Sequence, residues 1–565
     1  MPWTERITYW RRWVFRRRSD ANQVTIRDGN TRMTPNEAFD YVVIGGGSSG
    51  CVVAGQLASD PSLQVLLLEC GDRAEANPET LRADGYKDAF INDLVMWERF
   101  SVPQAGCANK RLYMGSGRGM GGSGAVNAMV YLRGSQSDFA LWNIDGWRWP
   151  DIVGEFEALE RKLVVHRRDP THATEAFLAA ATQAGFSRSD DLNDGDLHGR
   201  IGYEWMNYAG CQRRNSYVAF VKPMLEHSNL RVRTRARAER IVFDAERRAV
   251  AVEYVQDGAL MRAHLRREVI VSSGAIETPK LLMLSGIGPA DELIRQGISV
   301  VSASDEVGKN FHDHPNVTLF YKSKTPIDCN YPQVYGFHRV NPNTPWPLEQ
   351  SDTCYVFYPA RSSLREALIR MLPAVALPYG LYRRPIMPKL VRSSVALGFR
   401  SPHVRRFVEH VYGIVVILGK PQSRGTIRLR SADSQDDPVV DPAYFEHPND
   451  IQTMLRGVQL ARTLAEQTPL EHIGNLELFP GRIIRSQRRL ETWIRGNAMT
   501  TYHYAGTCRM GTDDRSVVDA KLRVRGVRGV RVADASIMPF VPVSALNAPS
   551  MMIGLRAAKF IRESS

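Results

Sequence analysis

Phe39 to Gly50 reads FDYVVIGGGSSG, and the next nineteen residues close on Val65-Leu66-Leu67-Leu68-Glu69. The β-branched run Asp40 to Ile44 predicts a short strand, and Gly45-x-Gly47-x-x-Gly50 predicts a turn into a helix over CVVAGQLASD. A second strand then ends in an acid. Each glycine has a distinct job in such a unit. Gly45 permits the tight turn, Gly47 lets backbone approach a pyrophosphate, and Gly50 lets helix and strand pack closely. The helix start offers free N–H groups to phosphates. Glu69, 19 residues beyond Gly50, stands where a carboxylate can accept ribose hydroxyls, which favours an adenosine ribose without a 2′-phosphate. The unit predicts a Rossmann-like α/β domain and a dinucleotide, without choosing between FAD and NAD.

Working outward, the 565 residues exceed what one hydrophobic core organises, so at least two domains are expected. The seven cysteines are scattered and never spaced C-x-x-C, which argues against a disulfide framework or zinc knuckle and suits a reducing compartment. Net charge is +13, but its placement argues against nucleic acid. Residues 1–18 hold six Arg and one Glu, and residues 361–410 hold nine Arg and one Lys against two Glu. Those two stretches contain the whole excess, so the charge is a local surface property.

Two more glycine-rich stretches follow. GRGMGGSGAVN at 117–127 runs directly into the apolar AMVYLRG, and its backbone can lie against a planar or anionic ligand. GAIETPKLLMLSGIG at 274–288 follows Val269-Ile270-Val271 and reads as strand, turn, helix, turn. With VGKNFHDHP at 307–315, RVADASIMP at 531–539 and a Tyr-His-x-x-Gly-Thr context at 502–507, the chain resembles the glucose–methanol–choline (GMC) oxidoreductase family along nearly its whole length.

The resemblance implies an FAD-binding domain with a mainly parallel sheet, assembled from 36–160, 210–316 and 500–565. It implies a substrate domain with an antiparallel sheet from 161–209 and 317–499, carrying the insertion 361–410. Residues 1–35 would be a basic extension. The flavin contacts implied are Gly45, Gly47, Ser48, Ser49, Gly50 and Glu69 from the first unit. The second glycine motif adds Gly119, Gly122, Ser123, Asn127, Ala128, Met129 and Val130. Asp534 and Ala535 would approach the ribityl-phosphate, and Asn547 and Pro549 open the last helix, its positive end towards the flavin pyrimidine. Some relatives tether FAD through a histidine one residue before the motif's asparagine; Val126 stands there, so non-covalent FAD is expected.

TTYHYAGTCRMG at 500–511 leaves several readings open from its residues alone: a metal site, a redox thiol, a packed loop, or the site of proton removal. Oxidising an alcohol by hydride transfer to flavin N5 requires a base near the hydroxyl, and imidazole titrates close to working pH. The resemblance makes His503 that base and Asn547 the partner of the substrate oxygen. Cys508 has no resolving thiol nearby and the His-x4-Cys pair lacks further ligands, so Cys508 is read as packing and no metal is expected. His312-Asp313-His314 is read as a structural turn beside the flavin. The implied reaction is oxidation of an alcohol to an aldehyde or ketone, with oxygen or a quinone as acceptor. The same fold also hosts a light-driven fatty-acid decarboxylase and a hydroxynitrile lyase, and a membrane-docked electron-transfer flavoprotein is a further alternative.

The insertion, RSSLREALIRMLPAVALPYGLYRRPIMPKLVRSSVALGFRSPHVRRFVEH, mixes arginines with large apolar residues, and its prolines break any long helix. Two readings stand: a solvated lid over the active site, or peripheral docking on anionic lipid, assisted by residues 1–18. The chain is expected in the cytoplasm, with the inner membrane as the surface for docking. No run of 18 apolar residues occurs.

Overall fold

The computed structural model describes residues 37–564, in which two sheets divide the α/β architecture. The expectations for 1–35, including membrane contact through 1–18, lie outside the described residues. The first sheet grows from the strand Ala38–Ile44, whose residues 40–44 are all buried. Buried on both faces, it has the composition of a parallel strand under helices. It pairs in parallel with Val65–Leu68 on one side and Ala259–Val271 on the other. Leu230–Arg233 and Val530–Val532 extend the parallel part. The 13-residue strand Ala259–Val271 also pairs at its N-terminal half with Ala249–Gln256, which adds an antiparallel flap with Ala236–Phe243. Two helices pack against each other beside this sheet, Ser48–Ala58 and Asn547–Glu563.

The second sheet has eight strands. Its spine is Pro315–Lys322, Val411–Leu418, Thr353–Pro359 and Val334–His338, antiparallel throughout. Arg200–Tyr203 adds on at Val334–His338, and Leu476–Phe479 and Met499–Thr500 pair with Pro315–Lys322. The next strand, Trp205–Ala209, belongs to a separate small sheet, where it pairs with Val130–Tyr131 and Val165–His166. One apolar core surrounds the first sheet and another lies on the second.

Residues 361–410 form four helices where the prolines divide them: Leu364–Ala376, Tyr379–Tyr382, Ile386–Gly398 and Pro402–Glu409. Pro378 and Pro385 precede the second and third, and Pro402 begins the fourth, positions where a missing N–H costs no helical hydrogen bond. Among the described residues no helix is long and apolar enough to cross a membrane.

Candidate active site

The glycine turn is held by close backbone contact. Gly45 has φ +102°, and a Cβ on Gly50 would lie 1.9 Å from the Gly45 carbonyl oxygen. Gly47 differs: a Cβ there would meet only the Gly122 Cα, at 4.0 Å. Its outer face is therefore open, lined by the second glycine loop. The residues fit a dinucleotide, because this cradle faces the start of the Ser48–Ala58 helix and ends in polar groups that lack protein partners. Ser49 Oγ and Asn547 Nδ2 are buried and unpartnered. Ser48 Oγ donates to Asn547 Oδ1 at 3.1 Å, joining the two helix starts across 499 residues of sequence. Asn547 opens the last helix, and Pro549 lies buried in its first turn.

Glu69 behaves differently from a simple ribose ligand. Its Oε2 accepts from the Gly46 N–H at 2.8 Å, and its Oε1 from Gly71 at 2.7 Å and Gly119 at 3.0 Å. The carboxylate fastens the first glycine turn to the second glycine loop. Within that loop the exposed Ser123 accepts from the Gly117 N–H, and Asn127 Oδ1 accepts from Met129 N–H, whose residue sits at φ +68°. Arg213, fully buried, reaches in from a distant hairpin and donates to the Gly124 carbonyl, Asn127 Oδ1 and the Asn127 carbonyl. Ala128 and Val130 instead pack on a small apolar cluster with Val543, Ala545 and Tyr335. Asp534 is committed to protein: Oδ2 accepts from Gly274 N–H at 2.9 Å and Thr278 Oγ1 at 2.6 Å, and Oδ1 from Ser536 N–H. It secures the start of the helix Gly274–Leu284 to the strand-end loop. The Ala535 carbonyl accepts from Gly506 N–H, tying that loop to the histidine segment.

His503 is half-buried, and its placement follows from Asp313. That buried carboxylate accepts the His503 backbone N–H at 2.8 Å, the Thr500 hydroxyl at 2.5 Å and the Tyr444 hydroxyl. Burial raises its pKa. Tyr502 stands at φ +64°, a left-handed conformation that turns the chain just before the histidine. Burial draws the His503 imidazole down to about 4, so it is neutral near pH 7. Its Nδ1 lies 3.0 Å from His314 Nδ1, with the rings edge to face. Two such nitrogens share one proton. When His503 carries it and His314 accepts, His503 Nε2 keeps a free lone pair. His314 is held neutral by burial, and then by the charge of a protonated His503.

The structure thus brings Ser48, Gly124 and Asn547 together, and separately His314, Asp313 and His503; no hydrogen bond joins His503 to Asn547. Cys508 is fully buried in the core, and burial pushes its thiol well up, which makes it unreactive. No group of three potential metal ligands occurs among the described residues. The His-Asp-His trio is more than a turn: Asp313 holds the His503 backbone and His314 faces its ring. Arg213 carried no signal in sequence, since nothing near it marks a partner 86 residues away.

A family model described as GMC oxidoreductase matches residues 39–316, and its C-terminal counterpart matches 421–554. The chain is 33% identical over 554 residues to an alcohol dehydrogenase [acceptor] of Pseudomonas putida, covering 93% of this chain and 95% of that one. It is 33% identical to the mitochondrial choline dehydrogenase of Mus musculus, covering 93% and 90%. A solved pyridoxine 4-oxidase from Mesorbium loti superposes with a TM-score of 0.79 at 24% identity over 93% of this chain and 99% of that one, a likeness of fold alone.

Proposed function

Since the chain belongs to the GMC oxidoreductase family, we propose that it is an FAD-dependent oxidoreductase of alcohols, with His503 as base and Asn547 as the holder of the substrate oxygen. The observation that carries this reading is the neutral His503 backed by His314, together with the unpartnered Asn547 Nδ2 at a helix start. FAD, when bound, supplies the acceptor for the hydride that leaves the carbinol carbon. It would be held by the cradle at Gly45, Gly47 and Gly50 and by the loop from Gly119 to Val130, without a covalent tether because Val126 offers no nucleophile.

The protein's own part is to handle the hydroxyl proton. An alkoxide expels hydride far more readily than an alcohol, so a base within reach of the oxygen lowers the barrier. His503 Nε2 takes the proton, and the resulting imidazolium keeps its Nδ1–H on His314 Nδ1. His314 thereby fixes the tautomer and is a positioning residue. Asn547 Nδ2 donates to the oxygen as it becomes negative, which is worth most where water is excluded. The acceptor of the electrons is oxygen or a quinone.

Anaerobic bleaching of the flavin by a panel of alcohols, followed by reoxidation with oxygen or a quinone, tests the reading. Bleaching by an alcohol in the parent and its loss in His503→Ala is the expected result. Equal bleaching in both removes His503 from the role, and turnover only under blue light moves the chain to decarboxylation chemistry.

A further inference from the structure

The insertion has two unlike faces. Inward, Arg370 is fully buried and clamps the helix Leu364–Ala376 onto the end of the helix Tyr86–Ile91 and the turn after it, donating to the Phe90 carbonyl at 2.8 Å and to Asp93 at 2.6 Å. Arg392 pairs with Asp93 and Glu98, and the Tyr382 hydroxyl donates to Glu98. Beneath this clamp Met371 Sδ lies 3.7 Å from the Tyr502 hydroxyl, and Phe90 and Tyr113 set their rings edge-on against Tyr502. Tyr502 is the neighbour of His503. The inner face is thus a roof over Tyr502, on the loop that carries the candidate base.

Outward, the helix Ile386–Gly398 shows Ile386, Leu390 and Leu397 to solvent, exposed by 70, 57 and 64%. At 100° per residue these three fall within about 40° of one another, so they form one stripe. Val375 and Tyr379 are exposed on the adjoining turns, and Phe407 on the last helix. A stripe of large apolar side chains left in solvent marks an interaction site. The charges beside them are unusually uncompensated. Arg383 and Arg384 precede Ile386, and Arg405 and Arg406 precede Phe407; all four are exposed and make no ion pair among the described residues. The insertion's two acids are Glu366, paired with Arg365, and Glu409.

We propose that this outer face docks on a bilayer containing anionic phospholipid, and that the roof passes a lipid-partitioned, long-chain alcohol from the bilayer to the site under Tyr502. Apolar side chains would enter the interface while the paired arginines meet phosphate, the arrangement of an interfacial amphipathic surface. Charge complementarity selects lipid over a second copy of the chain, since two such faces would bring eight unpaired arginines together. The substrate half rests on the alcohol-oxidising reading; the docking half stands without it.

The test uses the full holoenzyme and cosedimentation with vesicles of phosphatidylcholine, with and without phosphatidylglycerol. The parent is expected to bind the anionic vesicles and to lose binding as salt rises. The triple variant I386E, L390E and L397E, and separately the quadruple variant R383E, R384E, R405E and R406E, should each bind at least about tenfold more weakly. Unchanged circular dichroism and thermal midpoint would show that the fold survives. Towards a short, water-soluble alcohol both variants should keep the parent's kcat/KM, while towards a long-chain alcohol carried in anionic vesicles it should fall about tenfold. Failure of the parent to sediment, equal binding to neutral vesicles, or equal binding of parent and variants overturns the docking. Dimerisation abolished by I386E, L390E and L397E, without vesicle binding, overturns it in favour of self-association. Vesicle binding as expected with no alcohol oxidised by any form would keep the docking and remove both the substrate half and the alcohol reading.

Discussion

The turn at 45–50 and the insertion at 361–410 are built on opposite terms. At the turn the contacts are set by the backbone's own position: Gly50 lies against the Gly45 carbonyl, and the amides of Gly46, Gly71 and Gly119 converge on one side-chain carboxylate. In the insertion the backbone is ordinary helix, and all its meaning lies in which side chains turn inward to Tyr502 and which outward. Within the first region Gly45 and Gly50 have no room for an added methyl, and only Gly47 has an open face. The second should accept large changes of its outer surface and show them only in what it binds.

The sharpest break in that contrast is Gly50→Ala. A Cβ 1.9 Å from a backbone oxygen cannot be relieved by a rotamer, so helix and strand must part. Purified protein is expected to lack visible flavin absorbance altogether, if it is recovered folded. The same substitution at Gly47, where the nearest atom is 4.0 Å away, should fold normally and lose only cofactor affinity. Thermal melts of the two apoproteins separate these outcomes.

Next in size is His503→Ala. Loss of a positioned base lowers rate by about 10² to 10⁴, so the rate of anaerobic flavin bleaching should fall in that range with flavin content unchanged. The parent's pH profile carries the sign. The neutral imidazole is the active form, and burial lowers its pKa to about 4, so kcat/KM should hold level through pH 6.5 and fall only on further acidification. An acid limb centred at or above 6.5 would mean that another group titrates. His314→Phe, which substitutes an aromatic ring without the accepting nitrogen, should reduce kcat more than KM and move that limb.

Between the two extremes lies a buried ion pair. Lys420 Nζ donates to Asp138 at 3.1 Å and to the Val541 carbonyl at 2.7 Å, both side chains essentially without exposure. Asp138 also accepts the Val543 N–H, so the pair anchors the loop leading to Asn547. Lys420→Ala leaves a buried carboxylate short of its counter-charge, which costs about 3–5 kcal/mol. Chemical denaturation should read that loss.

These contrasts explain what was legible in the chain. The spacing of Gly45, Gly47, Gly50 and Glu69 disclosed the strand, turn and helix because the turn's geometry permits few other residues. Pro378, Pro385 and Pro402 marked the helix breaks in the insertion, but less strictly, since Pro373 lies inside the helix Leu364–Ala376 and Pro388 in the first turn of Ile386–Gly398. Side-chain direction was not. Glu69 and Asp534 are both expected against the cofactor; what spacing cannot express is that their oxygens also take up backbone amides, and for Asp534 the Thr278 hydroxyl, from neighbouring loops. Arg213 and His314 were invisible as partners for a related reason: each meets its target across 86 to 189 residues. The two readings of 361–410, lid and docking surface, could not be separated along the chain because they belong to opposite sides of the same helices.

The smallest expected effect is therefore also a discriminating one. Leu390 is 57% exposed, and nothing in the fold depends on its burial. Leu390→Glu should change the stability of the free protein by no more than about 0.5 kcal/mol, as surface substitutions do. Met371→Glu, one helix inward, places a charge against the Tyr502 hydroxyl under the roof. It should lower the thermal midpoint and slow flavin reduction by every alcohol, including short ones. If Leu390→Glu destabilises as much as Met371→Glu, the outer stripe is packed in the free protein and the two faces are not distinct. If it leaves the midpoint unchanged while Met371→Glu lowers it, the outer stripe carries no part of the fold's stability and the two faces are distinct.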